Sequence, residues 1–257
     1  MENKINFKEF GTGEPVVILH GLLGMLDNWQ TFARKLSENY RVYTIDLRNH
    51  GRSFHSPEMS YALMAEDLNS FLIAREVNRT HLLGHSMGGK VAMQFALKYP
   101  EKVDKLLVAD IAPHSYPGGH EAIIEALLSA KPREAEERAD IENHLLKFIP
   151  SRKIVLFLMK NLSRSKQGGF QWKANIPYIA KNYKHILAGI ESDKKFRGNT
   201  LFLKGENSDY ITEKSETSIK NYFPQSKIVE IPKAGHWIHA EAQEATLEAT
   251  RNFLRKK

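Results

Sequence analysis

The chain has 257 residues, which suffice for one large α/β domain with an inserted segment, and its 42% hydrophobic and 26% charged residues are ordinary for a globular protein. It contains no cysteine, which excludes disulfide bonds, thiolate metal sites and cysteine nucleophiles. The net charge of +7 would suit a nucleic-acid binder, but no nucleic-acid motif accompanies it, so we expect no nucleic acid as a partner.

Short apolar runs alternate with helical patterns from the N-terminus to about residue 110. Strands are predicted at residues 5–10, 16–19, 41–45, 81–83 and 105–109. Helices are predicted between them at residues 28–39, 60–76 and 89–99. This alternation predicts a mostly parallel central sheet with helices on both faces. The first strand alternates with period two, as an antiparallel edge strand does.

The pattern changes after this region. Residues 113–189 carry several helical patterns and no convincing strand. We therefore predict a helical lid at residues 113–189, inserted into a core formed by residues 1–112 and 190–257. The Gly168-Gly169 pair predicts a turn or hinge within the lid. The remaining predicted elements are strands at residues 200–203 and 227–231 and a terminal helix from about Ala240.

Two further features bear on the location of the protein. Residues 1–7 lack the basic-then-apolar order of a signal peptide. No apolar run approaches the length needed to cross a bilayer. We therefore expect a cytoplasmic protein that does not insert into membranes.

The motif G-x-S-x-G stands at Gly84-His85-Ser86-Met87-Gly88, between a predicted strand and a predicted helix. In that context it is typical of a sharp turn that exposes a nucleophilic serine, so Ser86 is the predicted nucleophile. A Cβ atom at either glycine would collide with the neighbouring strand or helix. The alternative interpretation is an ordinary turn of small residues.

A serine hydroxyl needs a base within hydrogen-bond reach, and that base needs a carboxylate to orient it. His236 follows the last predicted strand and Gly235, and we predict that it is the base. His239 competes with it but is expected inside the terminal helix. Asp110 and Asp209 each follow a predicted strand and each could orient His236, although an aspartate there often only forms a turn. The residues alone leave the acid open between these two.

An oxyanion hole requires two backbone amides aimed at the developing alkoxide, each worth on the order of 3 kcal/mol of the barrier. The Met87 amide, at the start of the predicted helix, is one candidate. The Leu22 amide, in the glycine-rich turn after residues 16–19, is the other. We interpret the polar turn at residues 46–53 and the side chain of His85 as structural rather than catalytic.

Four of these motifs occur in the order found in one large family. His20-Gly21, residues 46–53, the turn at 84–88 and Gly235-His236 together resemble the α/β-hydrolase fold over nearly the whole chain. More narrowly, the segments at residues 20–28, 110–113 and 234–241 look like those of the small YbfF-type esterases. The resemblance implies an α/β-hydrolase fold with a helical lid inserted after the sixth strand.

The resemblance also bears on the acid. In the commonest hydrolase pattern the acid follows the seventh strand, and here that place is occupied by Ser208. The YbfF-type group is similar, because its acid follows the sixth strand and a serine replaces the usual one. By position, the resemblance implies that Asp110 is the acid and that Ser208 is an auxiliary hydroxyl near His236. Asp209 stays the alternative carboxylate.

The function predicted from these features is hydrolysis of carboxylic esters, extending to thioesters such as acyl-CoA, by a serine nucleophile. No metal and no organic cofactor is expected; the partner is a small-molecule substrate, and the protein is expected to be a monomer or a homodimer. One alternative is a lyase of menaquinone synthesis or a carbon–carbon bond hydrolase, which would need an arginine pair in the pocket. Another is a ligand-binding member of the fold without catalysis.

The lid carries two further signals about the substrate. Between residues 114 and 190 there are 12 Lys and Arg against 7 Asp and Glu, which is either a solvated face or an attraction for an anionic acyl donor. Several large side chains of the lid could line an acyl pocket or could simply pack together. They are Phe157, Met159, Phe170, Trp172, Tyr178 and Tyr183.

Overall fold

A twisted seven-stranded sheet forms the centre of the computed structural model, which describes residues 4–255. Its strands are β1 (Phe7–Phe10), β2 (Pro15–Leu19), β3 (Arg41–Ile45), β4 (Thr80–His85), β5 (Val103–Ala109), β8 (Asn199–Gly205) and β9 (Ser226–Ile231). The strand order is β1-β3-β2-β4-β5-β8-β9, with β1 antiparallel to β3 and all other pairs parallel. Each strand predicted from the sequence lies in this sheet, including the antiparallel edge strand.

The register of the central strands brings their carboxyl ends to one edge of the sheet. Leu19 of β2 pairs with Ile45 of β3 on one side and with Gly84 of β4 on the other. His85, the last residue of β4, pairs with Ala109 of β5. The loops that follow these four strands therefore emerge side by side, where ligands bind in open α/β sheets.

Helices cover both faces of the sheet, and the two faces form separate apolar clusters. One face packs against α2 (Tyr61–Ala74) and α3 (Met87–Lys98), and the other against α1 (Gln30–Leu36) and α11 (Gln243–Arg255). The other helices are α4 (Glu121–Ser129), α5 (Arg138–Leu146), α6 (Arg152–Met159), α7 (Ile176–Lys181), α8 (Tyr183–Leu187), α9 (Glu213–Tyr222) and α10 (Ile238–Glu241).

The segment between β5 and β8 contains helices α4 to α8, but it is not wholly helical. An antiparallel hairpin joins β6 (Leu162–Arg164) to β7 (Phe170–Trp172), which corrects the prediction that this region has no strand. Each strand has three residues, too few to show an alternating pattern in the sequence. The Gly168-Gly169 pair lies in the turn of this hairpin, and both residues have positive φ.

The segment leaves and rejoins the sheet at nearly the same point. The amide of Ile190 donates a hydrogen bond to the carbonyl of Pro113 at 2.8 Å, and the amide of Tyr116 donates to that of Leu187 at 2.9 Å. Within residues 4–255 five strands precede this segment, and it follows β5, the strand before Asp110 that the family resemblance counts as the sixth. Residues 1–3 and 256–257 of the predicted core lie outside the described residues.

No helix among residues 4–255 combines the length and the apolar character needed to span a bilayer.

Two buried histidines hold together the loops that follow β2 and β3. The Nε2 atom of His20 accepts a hydrogen bond from the Leu47 amide at 3.0 Å, and that of His50 accepts one from the Leu23 amide at 3.1 Å. The Nε2 atom of each ring must be unprotonated to accept these bonds. Burial lowers the pKa of His20 to about 4 and that of His50 to about 3.

This requirement predicts that mild acid destabilises the fold. Both folded-state pKa values lie below the unfolded value of about 6.5. The free energy of unfolding is therefore highest above pH 6.5, and it falls as the pH drops from about 6.5 toward the two folded-state pKa values. At pH 5.0 each of His20 and His50 removes about 2 kcal/mol from the free energy of unfolding. Urea unfolding followed by circular dichroism at pH 7.5 and 5.0 measures this loss.

A control variant removes the exposed His185, and we expect that His185→Gln leaves the difference between the two pH values unchanged. Equal free energies of unfolding at pH 7.5 and 5.0 for the unmodified protein would contradict the prediction.

Candidate active site

Ser86 lies on a strained turn between β4 and α3. Its φ of 52° and ψ of −120° fall where residues with a side chain are uncommon. The flanking glycines permit the turn, because a Cβ atom on Gly84 would lie 2.2 Å from the carbonyl oxygen of Gly88. A Cβ atom on Gly88 would lie 2.5 Å from the carbonyl oxygen of Leu19 on the neighbouring strand β2. Local packing thus requires glycine at both positions around the predicted nucleophile.

Asp110 follows β5 directly, and its carboxylate is fully buried. Its Oδ2 atom accepts a hydrogen bond from Nδ1 of His236 at 2.8 Å, and its Oδ1 atom accepts one from the Gly205 amide at 2.9 Å. The hydroxyl of Ser208 also donates to Oδ2. Because a carboxylate only accepts, the proton of the neutral imidazole stands on Nδ1 of His236, and in that form Nε2 keeps its lone pair.

The structure separates the two candidate acids by their surroundings. Asp110 contacts the ring of His236, with Ser208 beside it, as the resemblance implies. Asp209 is exposed and lies at the lining of the cavity that contains Ser86 and His236. Within residues 4–255 its carboxylate has no hydrogen bond or ion pair, so nothing in the structure connects it to His236.

The two predicted oxyanion donors also line this cavity. Among the described residues neither the Leu22 amide nor the Met87 amide has a hydrogen-bond partner. An unpaired backbone N–H that faces a cavity is a donor held ready for a ligand oxygen. Gly21 lets the Leu22 turn come close, because a Cβ atom there would lie 2.9 Å from Nδ1 of His85.

Three residues hold the loop of His236 in place. His85 donates from Nε2 to the carbonyl oxygen of His236 at 2.8 Å, which agrees with the structural role predicted for it. The ring of Tyr210 stacks on that of His236 with 3.9 Å between centroids. Glu241 accepts a hydrogen bond from the Gly235 amide. Sequence analysis gave no role to Tyr210, which belongs to no motif, or to Glu241, which is the last residue of the segment at 234–241 but carries no catalytic signature of its own.

His239 lies in α10 and is buried, as predicted for a residue inside the helix. Its ring stacks on that of Trp29 at 4.1 Å, and burial lowers the pKa of His239 to about 3. A ring packed in this way has lost the basicity that a catalytic base needs near neutral pH.

Ser86 and His236 open into one cavity of about 560 Å³, lined mainly by apolar and aromatic side chains from the sheet loops and from residues 113–189. Of the six large side chains proposed for an acyl pocket, Phe157 and Tyr183 line it. The other four, which do not line it, are Met159, Phe170, Trp172 and Tyr178. None of the Lys and Arg residues at 114–190 lines it either, so their positive charge does not face the cavity.

One further polar residue lines the cavity and was missed in the sequence. Lys90 stands one turn after Ser86 on α3 and is buried. A lysine within the otherwise apolar and small run of residues 87–93 was a signal that could have identified it.

Comparison with known proteins agrees with this geometry. A family model described as the alpha/beta hydrolase fold matches residues 14–243. The chain belongs to the alpha/beta hydrolase family. This hydrolase is 38% identical to "sn-1-specific diacylglycerol lipase ABHD11" of Danio rerio, over 95% of this chain and 79% of that protein. It is 34% identical to "Esterase YbfF" of Escherichia coli, over 93% of this chain and 92% of that protein.

A solved structure described as a "Marine microorganism esterase" matches the hydrolase with a TM-score of 0.96 at 45% identity, covering 98% of this chain and 100% of that one. The predicted fold and the resemblance to the YbfF-type esterases are therefore confirmed. The esterase and lipase relatives support ester hydrolysis as the class of reaction.

The contacts of Asp110 predict the effect of replacing it with asparagine. In Asp110→Asn the amide oxygen stays on the Gly205 N–H, which turns the amide NH₂ toward Nδ1 of His236. That NH₂ donates to Nδ1 and forces the ring proton onto Nε2, so no base faces Ser86. We expect kcat for 4-nitrophenyl butanoate to fall about 10⁴-fold.

The matched control is Asp209→Asn, which removes the other candidate carboxylate. We expect it to change kcat little, since Asp209 is exposed and does not contact His236. A loss of activity in Asp209→Asn, with Asp110→Asn fully active, would reverse the assignment of the acid.

Proposed function

We propose that this hydrolase cleaves carboxylic esters through a covalent acyl-enzyme on Ser86. The observation that carries the proposal is the buried contact between Asp110 and His236, which leaves the Nε2 atom of the imidazole unprotonated in the cavity that holds Ser86. A serine at a strained turn beside two unpaired amides supplies the remaining elements of acyl transfer.

In the proposed reaction, Nε2 of His236 takes the proton of Ser86 as its Oγ atom attacks the ester carbonyl. The Leu22 and Met87 amides donate to the oxyanion that forms. The imidazolium, stabilised by Asp110, then protonates the leaving alcohol, and an acyl-serine remains. A water molecule activated by His236 attacks the acyl-serine and releases the carboxylic acid. No metal or organic cofactor takes part.

The cavity favours esters over the other substrates considered. Among the described lining residues there is no arginine, so the arginine pair wanted by a menaquinone-pathway lyase or a carbon–carbon bond hydrolase is missing. The acyl-enzyme would also accept thioesters, but the basic residues expected to attract acyl-CoA lie outside the cavity lining. The unpaired oxyanion donors and the pair formed by Asp110 and His236 argue against a module that only binds ligands.

Labelling with a fluorophosphonate, combined with ester kinetics, tests this proposal. We expect the folded protein to gain the mass of one phosphonyl group on Ser86 and to hydrolyse short-chain 4-nitrophenyl esters. In Ser86→Ala we expect no labelling and a fall in kcat of about 10⁶-fold, because the nucleophile is absent. Intact-protein mass spectrometry measures the labelling, and the absorbance of the released 4-nitrophenolate measures the hydrolysis.

The matched control is Ser163→Ala, at an exposed hydroxyl on the β6–β7 hairpin, which should label and react like the unmodified protein. Undiminished turnover in Ser86→Ala, or a folded unmodified protein that neither labels nor hydrolyses any ester, would refute the proposal.

A further inference from the structure

Lys90 is the only Lys or Arg among the described residues that line the catalytic cavity. It stands four positions after Ser86 on α3, which places both residues on the same side of the helix, about 6 Å apart along its axis. Only 1% of its surface is exposed. A lysine in such a place is rare unless its charge has a partner.

The ammonium group of Lys90 contacts one backbone carbonyl and two aromatic rings. Its Nζ atom donates to the carbonyl oxygen of Ala188 at 2.5 Å. It also lies 4.9 Å from the ring centroid of Tyr116 and 5.5 Å from that of Tyr61. The two phenol hydroxyls donate elsewhere, to the backbone carbonyls of Tyr210 and Ile186, so they do not neutralise the charge.

No carboxylate completes this arrangement in the part of the chain that the structure describes. None of the ion pairs formed by residues 4–255 includes Lys90. The acidic residue at the cavity lining, Asp209, is exposed and makes no ion pair with it. An ammonium group has three donors, and one of them is used. The structure therefore leaves a buried amino group with unused donors at the lining of the cavity that contains the predicted nucleophile.

Burial lowers the pKa of Lys90 to about 7, so near neutral pH the group is present both as ammonium and as neutral amine. A negatively charged group from a ligand would pair with the ammonium in a cavity that is otherwise mainly apolar. Such charge-assisted hydrogen bonds are stronger than neutral ones, and the low dielectric of the cavity strengthens them further.

We propose that Lys90 is a specificity-determining residue that binds a carboxylate carried by the substrate. The preferred substrates are then esters with a second, free carboxylate near the scissile bond, such as half-esters of short dicarboxylic acids. This proposal rests on the proposed function, because it names the substrate class of the same site. The alternative role for Lys90 is purely structural, as a link between α3 and the end of the inserted segment at Ala188.

Matched pairs of esters distinguish a role of Lys90 in substrate binding from a purely structural role. Ethyl butanoate is compared with monoethyl succinate, and ethyl hexanoate with monoethyl adipate, so that each pair differs only in a terminal methyl or carboxylate. For at least one chain length we expect the unmodified hydrolase to have the higher kcat/KM for the half-ester. In Lys90→Met we expect that value to fall about 10- to 100-fold, with little change for the neutral ester.

The matched control is Lys98→Met, which removes an exposed lysine of the same helix that pairs with Glu66. We expect it to leave both values unchanged. An equal fall for both esters in Lys90→Met would show a structural role and overturn the proposal. A preference for the neutral ester at every chain length in the unmodified protein would overturn it as well.

A second measurement needs no variant and covers the case in which Lys90→Met fails to fold. Free succinate, glutarate and adipate are compared with butanoate, pentanoate and hexanoate as competitive inhibitors of neutral ester hydrolysis. We expect at least one dicarboxylate to bind about 10-fold more tightly than its monocarboxylate counterpart. Equal inhibition throughout refutes the role of Lys90 and leaves ester hydrolysis intact, whereas absence of all hydrolysis refutes the proposed function itself.

Discussion

The buried carboxylate of Asp110 is the constraint on which the geometry of the site depends. It accepts hydrogen bonds from two other segments of the chain: from the Gly205 amide and the Ser208 hydroxyl at the end of β8, and from the His236 ring after β9. A charged group removed from water is tolerated only when its lone pairs are used in this way. The loops after β5, β8 and β9 must therefore adopt mutually compatible positions, and the orientation of the imidazole follows from that requirement.

Much of this arrangement is encoded in short stretches of sequence. The central strands could be predicted because they are short apolar runs that are buried on both faces of the sheet, and β1 because its residues alternate with period two. The turn at Ser86 could be predicted because its glycines and its position between a strand and a helix are local features. The choice between Asp110 and Asp209 could not be made locally, since it depends on which carboxylate reaches a ring more than a hundred residues away. The family resemblance supplied that choice.

The features that were missed share a physical cause. Tyr210 and Lys90 gain their roles from packing between segments that are distant in the chain, and no pattern of spacing records such contacts. The β6–β7 hairpin is too short for periodicity to appear. Composition likewise left open whether the basic residues at 114–190 form a solvated face or attract the substrate, because it counts charges without saying where they point; none of them lines the cavity.

The joined ends of the inserted segment have a consequence for how such enzymes diversify. Hydrogen bonds from Ile190 to Pro113 and from Tyr116 to Leu187 close the segment into a loop with a narrow base. The sheet and the reactive groups at its edge are built almost entirely outside that loop. The inserted segment can consequently be exchanged as a unit, in evolution or by engineering. Such an exchange alters the cavity walls that select the substrate and leaves the reactive groups unchanged.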